Sequence, residues 1–249
     1  MTLITRRNVV LGASGVLLAG CDRINASPAV QNVLALGEPL NMGAQRLIMD
    51  RNALAPEYAG ADRSPVFRVN GNAMPAAPDY ARHLASQFAD WRLVVDGLVA
   101  RPLALTLAQL RAAPQRTQTT RHDCVEGWSA IAEWTGVPLG LILRHAGLRQ
   151  QAKYIVFHCA DDFRGTAYYE SIDLVDAFHP QSILAHTMNG QPLPVGNGAP
   201  LRLRVERQLG YKHAKFVMRI EARDTLAGLH GGSGGYWEDK SGYEWYAGI

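Results

Sequence analysis

The densest run of reactive side chains is Arg121-His122-Asp123-Cys124-Val125-Glu126-Gly127-Trp128-Ser129. Cys124 has Arg121 and His122 close by in sequence, and positive neighbours favour the thiolate that attacks electrophiles or binds metals. Spacing alone leaves a second reading open, a small buried cysteine in an aromatic core. His122 and Cys124 could also join His158 and Cys159 as four nitrogen and sulfur ligands for zinc. Alternation weighs against that set. His158 and Cys159 are neighbours in a strand-like segment, so their side chains leave on opposite faces. No dinucleotide or phosphate-binding glycine loop, His-Glu-x-x-His, Cys-x-x-Cys-His or Gly-x-Ser-x-Gly occurs, which removes several common enzyme classes.

The elements that must position these residues are mostly short strands. Trp91 to Gly97 has strand character ending at a turn glycine, and Lys153 to Cys159 reads as a buried strand. Asn189-Gly190 predicts a two-residue hairpin after the strand Ser182 to Met188, because both residues tolerate positive φ. Leu201 to Glu206 and Phe216 to Glu221 add two more strands. Helices are predicted after Thr106, as N-cap, up to Pro114, and over Val137 to Gly147, with the glycine as C-cap. Strands outnumber helices without a regular strand-helix repeat, so the expected class is a mixed, strand-rich α+β domain. The glycine-aromatic tail, Gly231 through Trp237 and Tyr243 to Ile249, reads as a strap laying aromatics on the core.

The chain has 249 residues, 47% hydrophobic and 19% charged, with 24 Gly and 13 Pro, which excludes disordered, collagen-like and coiled-coil classes. Arg6 and Arg7 supply two of the three net positive charges, leaving about +1 beyond the leader. Nucleic acid is therefore not an expected partner. Thr5-Arg6-Arg7 followed by a small-residue apolar run reads as a twin-arginine export signal over residues 1–20, too short to span a bilayer stably. Leu18-Ala19-Gly20-Cys21 resembles a lipobox, in which acylated Cys21 would anchor the protein, and Asp22 fits retention at the inner membrane. Cleavage near Ala26 to give an unanchored export product is the alternative. Residues 21–63 read as a tether and irregular lead-in, and residues 64–249 as the functional domain.

Several separated blocks in order resemble the sulfite oxidase family of molybdenum-pterin oxidoreductases. They are Phe67-Arg68-Val69-Asn70-Gly71, Arg121 to Trp128 with Trp134-Thr135-Gly136-Val137-Pro138, Met188 to Pro194, Asn197 to Leu203, and Gly210 to Lys215. The leader and the Cys-Val-Glu block are similar to the catalytic subunits of periplasmic methionine sulfoxide reductases. The resemblance implies that Cys124 is the molybdenum ligand and catalytic centre. It implies that Asn197, Arg202, His213, Ala214 and Lys215 hold the molybdopterin and its phosphate, with Phe67, Arg68 and Asn70 on the other side. Cys159 stands where that branch has a pterin-contacting threonine. His179, His186 and Tyr169 become candidates for an acid-base or substrate-orienting group near the metal.

The implied activity is oxygen-atom transfer on a small S- or N-oxide or oxidised methionine, with electrons exchanged through a separate haem or quinone-linked partner. Val69 and the neutral stretch around Ser129 replace cationic residues of sulfite-oxidising members, so sulfite is expected to be a poor substrate. The 28 residues after Glu221 are too few for the family's appended dimerisation domain, which predicts a monomer. Alternative readings are a sulfite dehydrogenase, an exported binding lipoprotein with the same fold, and a thiol enzyme using Cys124 directly.

Overall fold

The computed structural model describes residues 26–249, so the twin-arginine leader and Cys21 lie outside the described residues. The chain divides into two units, Met1–Ile48 and Met49–Ile249. Within the first, the expected irregular lead-in is instead two helices, α1 (Pro28–Leu34) and α2 (Gly37–Ile48). Pro28 sits in the first turn of α1, where its missing N–H costs nothing, so it starts a helix that composition had suggested it would break. Among the described residues, no helix is long and apolar enough to cross a membrane.

The second unit is built on two five-stranded sheets. After α3 (Pro78–Ala85), the chain forms β1 (Arg92–Gly97), β2 (Leu103–Thr106), α4 (Leu107–Ala112), β3 (Arg116–Asp123), β4 (Ser129–Pro138) and α5 (Leu139–Ala146). It continues as β5 (Tyr154–Phe163), β6 (Thr166–Asp173), α6 (Leu174–Ala177), β7 (Ile183–Met188), β8 (Gln191–Pro192), β9 (Arg202–Arg204), β10 (Val217–Arg223) and α7 (Tyr236–Ser241). One sheet has the order β2-β1-β10-β5-β6 and the other β3-β4-β7-β8, with β9 also on β7. Only β1 and β10 pair in parallel among these ladders. Leu93, Val95, Leu143, Phe157, Leu184 and Ile220 join the two sheets and α5 in one apolar cluster.

Local chemistry explains most boundaries. Thr106 and Gln109 form a reciprocal capping box that starts α4. Asn189 and Gly190 both take positive φ and close the tight turn between β7 and β8, as the dipeptide predicts. The predicted helix from Val137 begins two residues later, because Val137 and Pro138 remain in β4. The predicted strand at Lys153 runs on to Phe163, since a bulge between His158 and Asp162 lets β5 continue its pairing with β6.

Before α3, residues 49–63 dress the edge of β3. Tyr58 N–H donates to the Thr119 carbonyl, and the Gln181 amide bonds both backbone groups of Ala55. Ser64 is held to Ile131 by two hydrogen bonds of 2.9 Å.

Gly136 packs its backbone against Leu184 of β7, at a register shift after Thr135. A Cβ there would overlap the carbonyl of Leu184, which is backbone and cannot rotate away. Gly136→Ala should lower stability by about 3 kcal/mol, read as a fall in the urea midpoint with an unchanged slope.

Candidate functional site

Cys124 stands at the start of the turn joining β3 to β4. Its N–H donates to the Trp128 carbonyl at 2.9 Å and its own carbonyl accepts from Gly127 at 3.0 Å, a local clamp that fixes the thiol. Alternation along β3 puts His122 and Cys124 on the buried side and Arg121 and Asp123 on the other. Arg121 is therefore spent on Asp123 at 2.9 Å with its side chain half exposed, correcting the expectation that it activates the thiol. Burial pushes the Cys124 thiol up, opposed first by a hydrogen bond from the Glu126 backbone N–H, reinforced by the Glu126 charge and opposed again by Arg202. Left to its own surroundings, Cys124 is a protonated thiol near neutral pH, and a metal is the partner that would hold it as thiolate.

A cavity opens over Cys124, lined also by Asn70, Asn72, Asp161, Tyr168, His213 and Lys215. Three separated blocks thus converge on one space. Lys215 donates to the carbonyls of Asn70 and Asn72 at 2.6 Å and of Gly196 at 3.0 Å, tying two loops together with one ammonium. Burial, then Arg202, brings its pKa down to about 7.

Behind the lining lie two arginines of β9 with opposite fates. Arg204 donates twice to Glu206, at 2.9 and 2.5 Å, and once to His122 Nδ1 at 3.0 Å. Arg202, fully buried, gives one hydrogen bond to the Asn197 carbonyl at 3.2 Å, while its Nε and Nη2 have no partner. Both guanidiniums lie over the Trp134 ring, 5.4 and 4.4 Å from its centroid. Burial, then the Arg204 charge, lowers the Arg202 pKa to about 9.

Around them the unpaired groups sort by sign. Because His122 Nδ1 accepts from Arg204, its unpartnered Nε2 is left as a donor, and Asn197 Nδ2 is a second buried donor without a partner. His213 donates from Nε2 to the Gln208 carbonyl, leaving Nδ1 an unpartnered acceptor, together with Asn70 Oδ1 and Asp161 Oδ1. Both histidines are kept neutral by burial and by the neighbouring arginines. Asp161 is pushed up to about 6 by burial, while Oδ2 accepts from Asn72 at 3.1 Å. Buried donors around an unneutralised guanidinium fit a phosphate, and unpartnered acceptors fit the N–H edge of a heteroaromatic ring. The Cys124 thiol in the lining fits a metal carried by the same molecule.

Other expected residues sit elsewhere. Phe67 packs its ring 5.3 Å from Trp134 and 5.5 Å from His122, Arg68 is exposed, and neither lines the cavity. The buried Ala214 uses its N–H on Lys212 and its carbonyl on Leu203. Cys159 is directed to the Phe157 carbonyl and also lies outside the lining. The four zinc candidates do not converge, because His158 bonds Glu221 at 2.9 Å. Among the described residues no group of three or more His, Cys, Asp or Glu could hold a metal ion.

The three acid-base candidates must be corrected. His179 holds the Ala53 carbonyl, His186 bonds Gln115 and Thr187 in a separate groove, and Tyr169 bonds Asp239. On β6 it is Tyr168, one residue earlier, that faces the cavity. Sequence reasoning also missed Asp161, Trp237 and Tyr243 in the lining. Asp161 lies within the β5 bulge, which strict alternation cannot anticipate.

Comparison with known proteins decides the class. The "Oxidoreductase molybdopterin binding domain" matches over residues 81–228, more than half the chain. This chain belongs to that family. It is a molybdopterin-dependent oxidoreductase of the sulfite oxidase type, and its cofactor is the molybdenum-pterin group. A relative from Azospira oryzae named "Putative protein-methionine-sulfoxide reductase subunit YedZ1" is 40% identical, over 98% of this chain and 86% of its own length. A "Protein-methionine-sulfoxide reductase catalytic subunit MsrP" from Xanthomonas campestris is 35% identical over 54% of this chain, which spans 45% of that protein. The solved "Sulfane Dehydrogenase SoxCD from Paracoccus pantotrophus" aligns at TM-score 0.51 and 27% identity, over 55% of this chain and 39% of the other.

His186 of this oxidoreductase gives a pH prediction outside the cavity. Burial, then the Arg111 charge, lowers its pKa to about 4, and both ring nitrogens are bonded in the neutral form. With a lowered folded pKa, its contribution is fully present above the unfolded value of about 6.5 and is lost as pH falls toward 4. Stability should drop by up to about 3 kcal/mol from this residue across that window, and His186→Gln should flatten the fall measured by urea unfolding at pH 7, 5.5 and 4.5.

Proposed function

We propose that the cavity over Cys124 is the molybdenum-pterin site, and that the enzyme reduces a neutral S- or N-oxide, including oxidised methionine. The observation carrying this reading is the buried, unneutralised Arg202, whose Nε and Nη2 lack partners and whose charge acts on Cys124. Arg202, Asn197 and His122 would grip the terminal phosphate. Lys215 keeps the loops at Asn70, Asn72 and Gly196 closed around it and adds a positive charge. Asn70 and His213 would border the ring from the lining, while Phe67, Arg68, Cys159 and Ala214 stand outside the lining and would act through their neighbours. Cys124 would supply the one protein sulfur to molybdenum, held by the turn that ends at Trp128.

When bound, the molybdenum-pterin group supplies two-electron oxygen-atom exchange, with electrons gained or lost singly. The chain's residues fix its orientation, exclude water behind the cavity, and surround the substrate side. Reduction of an S-oxide consumes two electrons and two protons and releases sulfide and water. The electrons would come from a separate haem or quinone-linked partner, a reading supported by the "subunit" wording in the names of the relatives. Export through a twin-arginine leader to the periplasm, with residues 21–63 as lead-in and Cys21 as lipid anchor, belongs to the same reading. Glu126 and Asp161 in the lining weigh against sulfite as a substrate, since a dianion would meet carboxylates there.

The test is to express the full chain in a molybdate-supplied host and measure molybdenum, released pterin and sulfoxide-dependent oxidation of a reduced dye. Near-stoichiometric metal and pterin with turnover are expected, and correctly folded wild type lacking both would refute the assignment. Cys124→Ala should lose at least about 100-fold in kcat. Arg202→Met, close in volume but uncharged, should retain less than about one tenth of the pterin.

A further inference from the structure

The glycine-aromatic tail does more than cover the core. Trp237 of α7 and Tyr243, just after it, line the cavity together with Cys124. Their rings stack at 26° with centroids 6.0 Å apart. Phe163 meets Trp237 at 5.4 Å and Tyr211 meets Tyr243 at 5.1 Å, so four rings form a continuous arc beside the thiol. Trp237 and Tyr243 are half-buried, with part of each ring left open.

The arc is held rigidly from behind. Glu238 accepts from the buried Lys212 at 2.7 Å, and Lys212 also pairs with Glu170 of β6. Asp239 accepts from Tyr169 and from the N–H groups of Gly231 and Ser233. Tyr211 donates to the Glu244 carbonyl at 2.6 Å. A tail needed only for packing could turn its rings inward. These contacts instead anchor α7 by its polar residues and leave Trp237 toward the cavity.

We propose that Trp237 and Tyr243 form the substrate-selecting wall, accepting neutral S-oxides with alkyl groups on sulfur and disfavouring anionic oxides. Aromatic faces attract polarisable sulfur and methyl groups. The electron-rich ring faces, together with Glu126 and Asp161, repel an anion approaching Cys124. This inference rests on the molybdenum-pterin reading of the cavity and adds which residues choose the substrate.

The test compares wild type, Trp237→Ala, Trp237→Phe and Tyr243→Ala in the full, cofactor-loaded chain. Molybdenum and pterin are quantified first, then KM and kcat for a dialkyl sulfoxide, and sulfite oxidation. Trp237→Ala and Tyr243→Ala should each raise the sulfoxide KM about tenfold with a much smaller change in kcat, with cofactor content retained. Their sulfite activity should not fall. Trp237→Phe should restore most of the affinity while abolishing the part of the tryptophan fluorescence change that saturates with sulfoxide. An unchanged KM in both alanine variants, or loss of cofactor from them, would overturn the selecting role. Wild type that folds without molybdenum would instead strike the underlying reading.

Discussion

The site is organised by one constraint, a guanidinium buried without a counter-ion. Arg202 and Arg204 leave the same three-residue strand on the same side and share one tryptophan ring, yet only Arg204 has a carboxylate. An unneutralised buried charge costs several kcal/mol, which a folded chain tolerates where a bound anion supplies the missing partner. The neighbours bear the same imprint. His122 and His213 are held neutral, and Lys215 is brought down toward neutrality with Arg202 among the causes. A pterin phosphate would give Arg202 its missing counter-charge and offset the repulsion that Arg202 exerts on His122 and Lys215.

The two sheets serve this corner from different directions. The β3–β4 turn brings Cys124 to the cavity, β9 brings Arg202, and the bulge in β5 brings Asp161. Lys215 then ties the loop before α3 to the segment before β9 through three carbonyls. None of these groups relies on a long mobile side chain reaching across solvent. Each is placed by a ladder or a turn within a few residues, the arrangement that keeps a site rigid enough to orient a large cofactor.

How far the sequence could be read depended on the range of the forces involved. The Asn189-Gly190 turn, the Thr106 cap and the mixed fold class were legible because each is decided by neighbouring residues. Cys124, Asn70, Arg202, His213 and Lys215 were identified through resemblance of ordered blocks, and the structure brings Cys124, Asn70, His213 and Lys215 to one cavity with Arg202 just behind. Arg121 was misjudged because closeness along a strand is not closeness in space: its side chain leaves on the other face. Tyr169 was preferred to Tyr168 for the same reason of phase. The role of Trp237 was hidden because it depends on contacts across the chain, Glu238 with Lys212 and Asp239 with Tyr169. The helices α1 and α2 were missed because Pro28 and Gly37 were weighed as breakers, not as first-turn residues.

The most direct measurement of the central claim is molybdenum K-edge X-ray absorption on the loaded enzyme beside its Cys124→Ala variant. The wild type should show one more sulfur scatterer around molybdenum than the variant, with the remaining sulfurs unchanged. An identical sulfur count in the two proteins would show that Cys124 does not ligate the metal and would contradict the assignment of this cavity.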